Sequence, residues 1–292
     1  MTGKGVASMA QAVLPAARVA LSRPPAPFLK WVGGKRQLVP QILQALGPTH
    51  LGTYVEPFVG GGAIFFALAE RNHIWRAVLS DTNDELMTAY LSVRDEVAHV
   101  IAALRSHRND PDHFYAVREI DPATLSPAER AARLIFLNRT CFNGLYRVNA
   151  KGLFNVSFGR YVNPTICDAE GLEAASRALR HAELRTCDFA VALADARSMD
   201  VAYCDPPYVP LSATSSFTSY TRNRFASDDQ VRLRDLALAA KQRGVRVVLS
   251  NSAAPIVRER YRDGFTCTEV LAPRAVNCRA DRRRAITELL IA

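Results

Sequence analysis

Tyr54-Val55-Glu56-Pro57-Phe58-Val59-Gly60-Gly61-Gly62 is the stretch that decides the fold of this chain. It begins as a short apolar strand centred on Tyr54-Val55 and runs into three consecutive glycines. A helical pattern follows over Ala63–Glu70, and a second apolar strand, Ala77–Ser80, ends at Asp81. This order predicts a βαβ unit, in which a helix that begins just after the glycines joins two parallel strands.

The glycines and Asp81 together form a pattern typical of a nucleotide-type site. Glycines after a strand let the backbone approach a ligand, and an acid about 20 residues further on can accept a hydrogen bond from a ribose hydroxyl. The same glycines can also serve a tight turn without any ligand, so both interpretations stay open for the turn alone. The GxxxxGK[ST] arrangement of a P-loop is missing, and Lys35 belongs to a separate segment, which disfavours a nucleoside triphosphatase.

The second half of the chain repeats the pattern of a strand followed by an acid. Glu183–Cys187 is predicted to be a strand that ends at Asp188-Phe189, and Val201–Cys204 a strand that ends at Asp205. The other predicted elements are helices near 35–46 and 228–243, a short helix after 255, and strands over 245–250, 266–271 and 285–291. Ligands of an open parallel sheet bind outside the carboxyl ends of its strands. One pocket is therefore expected to be lined by four acids: Glu56, Asp81, Asp188 and Asp205.

The region between the two halves, about 85–180, breaks this alternation and is predicted to be mostly helical. It contains Asn138-Arg139-Thr140-Cys141-Phe142-Asn143-Gly144-Leu145-Tyr146-Arg147, which is rich in aromatic, asparagine and arginine residues. The segment Lys151–Tyr161 that follows has the turn residues and bases of a hairpin or loop that contacts a partner. We interpret the region as an inserted recognition domain. The alternative is a helical subdomain that only packs on the sheet.

Asp205-Pro206-Pro207-Tyr208 follows a predicted strand directly and is the most specific chemical pattern in the chain. The two prolines fix an extended turn that cannot continue a helix, so the turn presents rigid hydrogen-bond acceptors. The Asp205 carboxylate and the Pro206 carbonyl can together hold both N–H donors of an aromatic amino group. Tyr208 adds a face on which a base can stack. The alternative is a proline-terminated strand with a surface tyrosine, which the glycine turn and Asp81 disfavour.

Composition limits the remaining possibilities. The chain has 292 residues, 49% of them hydrophobic, which is enough to bury the core of one or two domains. Its net charge of +9 suits a polyanionic partner without identifying one. The six cysteines lack zinc-site spacing, so no metal site is expected and a reduced cytoplasmic protein is the simplest interpretation. Residues 1–25 are interpreted as a flexible extension, and no membrane span is expected because no apolar run is long enough.

From Phe28 to the C-terminus the chain resembles the Dam-type, or alpha-group, DNA adenine N6-methyltransferases. Five motifs in the family's order carry the resemblance: Phe28-Leu29-Lys30-Trp31 with Gly33-Gly34-Lys35, Val55-Glu56-Pro57-Phe58-Val59-Gly60, Leu79-Ser80-Asp81-Thr82-Asn83, Asn143-Gly144-Leu145-Tyr146-Arg147, and Tyr203-Cys204-Asp205-Pro206-Pro207-Tyr208-Val209-Pro210-Leu211-Ser212. The resemblance implies an α/β fold, a Rossmann-like S-adenosylmethionine-dependent methyltransferase sheet with an inserted, mostly helical target-recognition domain. The sheet domain is expected at 26–84 and 181–292, and the inserted domain at 85–180.

The resemblance also implies an activity, a cofactor and a set of site residues. The expected reaction transfers a methyl group from S-adenosylmethionine to N6 of an adenine flipped out of double-stranded DNA, in the cytoplasm of a bacterium or of a phage host and without an obligate protein partner. The expected catalytic residues are Asp205, Pro206, Pro207 and Tyr208. Trp31, Lys35, Asp81 and Asp205 are expected to contact the cofactor, and the strand-end residues Glu56, Phe58, Gly60, Asp188 and Phe189 complete that site. The expected DNA contacts are Lys30, Phe142, Asn143, Leu145, Arg147 and Tyr161.

Some positions depart from the family pattern, and they fall where target choice is expected. Ser157 stands where relatives usually have proline, and Phe142 where tyrosine is usual, so the target, GATC or a variant, stays open. Arg147 is interpreted as a guanine reader, with a phosphate contact as the alternative. Phe142 and Leu145 are interpreted as DNA contacts, and the alternative is that their side chains pack in the hydrophobic core. Five arginines near the C-terminus, either a DNA clamp or a solvated loop, match the family poorly: Arg274, Arg279, Arg282, Arg283 and Arg284.

Three other activities remain alternatives to adenine methylation. A cytosine N4 methyltransferase more often begins the catalytic tetrapeptide with serine, whereas this chain has Asp205. A catalytically silent DNA-binding relative would have lost Asp205, Tyr208 or the glycine turn, and all three are present. A relative that acts on RNA or protein would not need to flip a base out of a duplex.

Overall fold

A computed structural model describes residues 23–49, 52–210, 225–272 and 286–292 of the chain. Seven strands form one sheet in these residues: β1 Tyr54–Glu56, β2 Ala77–Asp81, β3 Ala182–Thr186, β4 Val201–Cys204, β5 Arg246–Ser252, β6 Cys267–Ala272 and β7 Ile286–Ile291. The helices are α1 Val39–Leu46, α2 Ala63–Glu70, α3 Asp84–Asp95, α4 Val97–Arg105, α5 Pro111–Glu119, α6 Pro127–Thr140, α7 Ala169–Leu179, α8 Phe189–Asp195, α9 Ser227–Gln242 and α10 Pro255–Tyr261. The five arginines of the predicted C-terminal clamp and most of the predicted N-terminal extension lie outside the described residues.

The strand order of the sheet is β3-β2-β1-β4-β5-β7-β6. The first five strands in this order are parallel, and β7 lies antiparallel between β5 and β6. Strands β1 and β4 are buried along their whole length, which explains why they appear in the sequence as uninterrupted apolar runs. Since the chain winds outward from β1 in one direction and from β4 in the other, a crevice opens between their carboxyl ends. The α/β fold is as predicted.

Helices cover both faces of the sheet. Helices α1 and α2 and the helices of the middle region share one hydrophobic cluster, which includes Ile42, Phe65 and Phe136. A second cluster on the opposite face includes Leu193 from α8 and Leu233 from α9. The middle region therefore packs on the same face of the sheet as α1. No helix among the described residues is long and apolar enough to cross a membrane.

Two local predictions differ from the structure. The helix predicted to start at Lys35 begins at Val39, because Pro40 lacks the N–H that an earlier turn of helix would need and is favoured in a first turn. Lys35 instead precedes the helix in a turn, with its carbonyl accepting from Leu38 N at 2.8 Å. Of the two forms predicted for 151–161, a hairpin or a loop, the structure has a loop with two isolated antiparallel bridges, at Phe154 and Phe158, so only the hairpin form differs. Most other element boundaries shift by one residue.

Candidate active site and DNA interface

Four acidic residues lie at the carboxyl ends of adjacent strands. Glu56 ends β1, Asp81 ends β2, and Asp205 directly follows β4. Asp188 follows β3 and accepts a hydrogen bond from Ala190 N at 2.8 Å, capping α8. Because β3, β2, β1 and β4 are neighbours in that order, the structure brings the four predicted acids to one edge of the sheet.

The glycine turn after β1 packs against an aromatic side chain from the N-terminal segment. Gly60 has a φ of 46°, a left-handed conformation that favours glycine. A Cβ at Gly60 would lie 2.7 Å from Trp31 Cδ1, so the turn and the indole ring fit together only because the side chain is missing. The Trp31 ring also stacks on Tyr146, with ring centres 5.3 Å apart. The glycines therefore bring Trp31 to the mouth of the crevice.

Asp81 is tied to the glycine turn by its carboxylate. Its Oδ2 accepts from Gly60 N at 3.3 Å, and its Oδ1 accepts from Asn83 N at 3.0 Å. Burial raises the pKa of Asp81, and the hydrogen bonds from Asn83 and Gly60 oppose this shift. Each carboxylate oxygen has a second lone pair, so Asp81 can still accept hydroxyl groups of a ligand.

Asp205 belongs to a buried cluster of charged and phenolic groups drawn from distant parts of the chain. Lys35 Nζ lies 3.1 Å from Asp205 Oδ1 and 3.8 Å from Glu288 Oε2. Tyr208 donates its hydroxyl to Glu288 Oε2 at 2.7 Å, and Lys35 Nζ lies 4.5 Å from the centre of the Tyr208 ring. Lys35 and Glu288 thus fix the Asp205 carboxylate and the Tyr208 ring relative to each other.

The Asp205 carboxylate has unused hydrogen-bonding capacity. Its Oδ1 is buried and lies 3.1 Å from the Lys35 ammonium. A carboxylate has about four lone-pair sites, so acceptor sites remain for a ligand. Burial raises the pKa of Asp205 to about 6, although Lys35 opposes the shift. The group is therefore charged at neutral pH. Burial raises the pKa of neighbouring Glu56 to about 8, a shift opposed by the hydrogen bond from Tyr54 and increased by the charge of Asp205, so Glu56 is mostly uncharged there.

Two stacked phenylalanines form the apolar end of the crevice. Phe58 follows β1 and Phe189 begins α8, and their ring centres are 5.3 Å apart with an interplanar angle of 24°. The Arg232 guanidinium lies 4.5 Å from the centre of the Phe189 ring and pairs with Asp188. A ligand that used the Asp188 carboxylate would therefore have to compete with Arg232.

Asn138, near the end of α6, joins the N-terminal segment to the loop of the middle region. Its Oδ1 accepts from Lys30 N at 2.7 Å, and its Nδ2 donates to Lys30 O at 2.8 Å and to Gly144 O at 2.9 Å. The side chain is fully buried. A Cβ at Gly144 would lie 2.5 Å from Lys30 Cδ, so the two segments touch. Asn138 therefore positions the predicted DNA contacts on both segments.

The loop after α6 carries an exposed aromatic residue. The Phe142 side chain is 47% exposed, which contradicts a core role for it. Asn143 beside it is exposed and has a φ of 55°, which turns the chain sharply. Leu145 is half-buried and packs against the core, so its position fits the core alternative better than that of Phe142 does.

The remaining predicted DNA contacts are basic or phenolic. Arg147 donates through Nε to Asn155 Oδ1 at 2.7 Å and through Nη2 to Asn155 O at 3.0 Å. These bonds hold one edge of the guanidinium against Asn155. The Nη1 edge takes no part in the contact with Asn155. Lys30 Nζ lies 4.5 Å from the centre of the Tyr161 ring, and both residues line a surface cavity of about 250 Å³.

Comparisons with known proteins assign this arrangement to a family. The profile of the D12 class N6 adenine-specific DNA methyltransferases matches residues 31–276 of the chain. The chain belongs to this family. It is 42% identical to the Type II methyltransferase M1.LlaDCHI of Lactococcus lactis subsp. cremoris, over 91% of the chain and 94% of that protein. It is 39% identical to the Type II methyltransferase M.MjaIII of Methanocaldococcus jannaschii over 91% and 98%, and 34% identical to the DNA adenine methylase of Escherichia coli strain K12 over 90% and 93%.

Membership of the D12 class identifies the chain as an N6 adenine-specific DNA methyltransferase, and methyltransferases of this kind take the methyl group from S-adenosylmethionine. The crevice fits such a cofactor in its chemistry. Asp205 Oδ1 is a buried acceptor with unused capacity, and Asp81 is a second carboxylate with a free lone pair. Because Glu56 is mostly uncharged, the cluster holds two negative charges, on Asp205 and Glu288, and one positive charge, on Lys35. The excess negative charge favours the binding of a sulfonium cation.

Three buried polar residues that contact the candidate site residues were not singled out from the sequence. Glu288 on β7 completes the cluster around Asp205, Asn138 joins the two DNA-contact segments, and Gln230 on α9 donates to Pro207 O at 2.7 Å. Each of them is a buried polar residue in a regular element, which calls for a buried partner. The available sequence signal was the one charged residue of the strand 286–291, Glu288, and it does not reveal which group that glutamate contacts.

Proposed function

We propose that the chain methylates N6 of an adenine that has been flipped out of double-stranded DNA, and that the turn Asp205–Tyr208 holds the flipped base. The observation that carries this proposal is the buried, charged Asp205 carboxylate with unused acceptor capacity at the crevice between β1 and β4. In the same proposal, 26–84 and 181–292 form the catalytic domain and 85–180 the target-recognition domain.

The proposed catalytic residues act by orientation and by electrostatics. The Asp205 carboxylate and the Pro206 carbonyl accept the two N–H groups of the adenine, which leaves the nitrogen lone pair directed at the methyl donor. Positive charge develops on the nitrogen during transfer, and the charged Asp205 stabilises it. Pro207 keeps the turn extended, and the ring of Tyr208 stacks on the base. Bound S-adenosylmethionine supplies an electrophilic methyl group on a sulfonium, so the chain needs no nucleophile of its own.

The proposed cofactor site follows the carboxyl edge of the sheet. Asp81 accepts the ribose hydroxyls, while the stacked Phe58 and Phe189 present an apolar surface to the adenine ring of the cofactor. Asp188 takes part by way of Arg232, which it holds over the Phe189 ring. The other proposed contacts to the cofactor are Trp31, Lys35, Glu56, Gly60 and Asp205.

The proposed DNA contacts surround the mouth of the crevice. Phe142, exposed at the tip of its loop, is suited to insert beside the space that the flipped adenine leaves. Lys30 and Tyr161 line a cavity at the surface and contact the bases from there. Asn143 and Leu145 flank the same position, and Arg147 reads a guanine through its Nη1 edge. The alternative role of Lys30 and Arg147 is a contact to the DNA phosphates.

Replacing Arg147 with alanine is expected to relax the target sequence at one base pair. A bidentate arginine–guanine contact is worth about 1–3 kcal/mol of discrimination, so methylation of sites altered at that pair rises about 10- to 100-fold relative to the cognate site. Arg147→Lys keeps the charge and can still donate to guanine but lacks the planar fork, so it is expected to relax the sequence less than Arg147→Ala. Competition among duplexes with every substitution of the target measures the effect. Uniform weakening across all duplexes would identify Arg147 as a phosphate contact.

The rate of methyl transfer is expected to fall as the pH is lowered through about 6. Burial raises the pKa of Asp205 to that value, so its carboxylate is ionised above pH 6 and becomes protonated below it. Each further pH unit then costs about tenfold in the single-turnover rate, because only the ionised form stabilises the developing charge. In Glu56→Gln this step must persist, since it belongs to Asp205. A rate that stays constant down to about pH 5 would contradict the assignment.

The proposed function is tested with labelled S-adenosylmethionine and four acceptors: duplex DNA, duplex DNA lacking adenine, single-stranded RNA and a mixture of proteins. We expect label in the adenine-containing duplex alone, and mass spectrometry of the nucleosides to identify N6-methyladenine. Label at cytosine N4 would show that the tetrapeptide serves another base. Label only in RNA or protein, or in no acceptor at all, would overturn the proposal.

A further inference from the structure

The turn that follows β4 is held by a buried amide on α9. Gln230 is 3% exposed, and its Nε2 donates to Pro207 O at 2.7 Å. Its Oε1 accepts from Asn251 Nδ2 at 3.1 Å, so both ends of the Gln230 amide are engaged inside the protein. Gln230 is not among the residues that the family motifs or the cofactor and DNA sites require.

Asn251 extends the same network along the turn. Its Oδ1 accepts from Val209 N at 3.2 Å and from Ser252 N at 2.8 Å. Ser252 Oγ donates to Val209 O at 2.7 Å. The backbone from Pro207 to Val209 is thus held by side chains from α9 and β5, which lie on elements outside the turn.

The two prolines make this support necessary. Neither Pro206 nor Pro207 has a backbone N–H, so only their carbonyls can anchor this part of the turn by hydrogen bonds. The carbonyls of consecutive residues in an extended chain point to different sides. Since Gln230 fixes Pro207 O toward α9, this alternation predicts that Pro206 O faces away from α9. Among the described residues, none donates a hydrogen bond to Pro206 O.

We infer that Gln230 is a positioning residue for methyl transfer, because its hydrogen bond to the Pro207 carbonyl leaves the Pro206 carbonyl to face the target amino group. This inference rests on the proposed roles of Asp205 and Pro206. Gln230 itself does not touch the base or the methyl donor. It selects the conformation of the turn in which the carboxylate and the carbonyl both accept from the adenine.

Gln230→Met keeps the length of the side chain and removes both hydrogen bonds. We expect the single-turnover rate with saturating S-adenosylmethionine and duplex DNA to fall about 100-fold, the cost of a displacement of about 1 Å at a reacting centre. The dissociation constants for S-adenosylmethionine and for duplex DNA, measured by calorimetry and by anisotropy, are expected to change less than about threefold. Gln242→Met, at the exposed end of the same helix, is the matched control and is expected to leave the rate unchanged.

Gln230→Glu separates hydrogen bonding from packing. An ionised carboxylate repels the Pro207 carbonyl, whereas a protonated carboxyl can donate to it. The rate of this variant relative to wild type is therefore expected to rise as the pH is lowered, which a purely structural role would not produce. This variant also decides the matter if Gln230→Met does not fold.

The proposed function and the role of Gln230 can fail separately in this experiment. Wild-type protein that forms no N6-methyladenine would overturn the proposed function. Wild-type activity combined with a Gln230→Met rate within threefold of it would overturn the role of Gln230 alone. A slow Gln230→Met variant whose loss is matched by its loss of cofactor or DNA affinity would also overturn it. For Gln230→Glu, a rate ratio that does not change with pH would do the same.

Discussion

Asp205→Ala is expected to lower the single-turnover rate of methyl transfer at least about 100- to 1,000-fold, the range seen when one preorganised group at a developing charge is removed. The variant loses both an acceptor of the target N–H group and the negative charge nearest to the reacting nitrogen. It also leaves Lys35 with Glu288 as its remaining carboxylate partner in the cluster, so Tyr208 is expected to shift. The rate is measured by rapid quench with labelled S-adenosylmethionine and excess enzyme.

Two further variants isolate the cause of that loss. Asp205→Asn keeps the shape and one acceptor oxygen but removes the charge, so its rate is expected to lie between those of wild type and Asp205→Ala. Asp263→Ala removes a carboxylate whose side chain is 88% exposed and is expected to be as active as wild type. DNA binding of Asp205→Ala is expected to stay close to wild type. Retained turnover in that variant would remove Asp205 from the catalytic site.

Asn138→Ala is expected to destabilise the protein by about 2–5 kcal/mol, because three backbone groups lose their partner and are left poorly satisfied. These groups are Lys30 N, Lys30 O and Gly144 O. The variant also frees the segment of Lys30 from the loop of Gly144, so duplex DNA affinity is expected to fall with stability. Urea denaturation measures the first effect, and fluorescence anisotropy below the unfolding transition measures the second.

The chemistry of the Asn138 amide provides the controls. Asn138→Asp keeps the acceptor for Lys30 N but places a buried carboxylate against Lys30 O and Gly144 O, so at neutral pH it is expected to cost at least as much stability as Asn138→Ala. The loss is expected to become smaller at low pH, where a protonated carboxyl can donate to one of these carbonyls. Asn163→Ala changes an exposed asparagine of the same region and is expected to have little effect on stability. If Asn138→Ala costs less than about 1 kcal/mol, the hydrogen bonds across the two segments are not what holds them together.

The sheet was predictable from the sequence because its strands obey local rules. Strands β1 and β4 are buried on both faces and appear as continuous apolar runs, and acids or glycines mark their ends. Because the strands were predicted to be parallel, their carboxyl ends were expected at one edge of the sheet. The positions of Asp81 and Asp205 at that edge could therefore be predicted without knowledge of side-chain contacts. The family motifs that contain Asp81 and Asp205 then indicated methyl transfer as the chemistry at that edge.

The contacts that complete the site were not predictable, because they join elements far apart in the sequence. Nothing in the sequence around Glu288 indicates a site residue, because only the pairing of β7 with β5 brings Glu288 to Tyr208. Asp188 was expected to be available to a ligand, yet Arg232 from α9 pairs with it. The sequence also left a hairpin and a loop open over 151–161, because the bridges of this segment pair it with Cys141 and Val148, which lie outside it. Local patterns cannot specify such pairings.

The contact between Lys35 and Glu288 joins residues about 250 positions apart in the chain. Closing a loop of that length carries a large entropic cost and comes after local helices have formed. Refolding of this protein is therefore expected to show two kinetic phases. The helical signal returns first, and enzymatic competence lags behind it until the two distant segments meet.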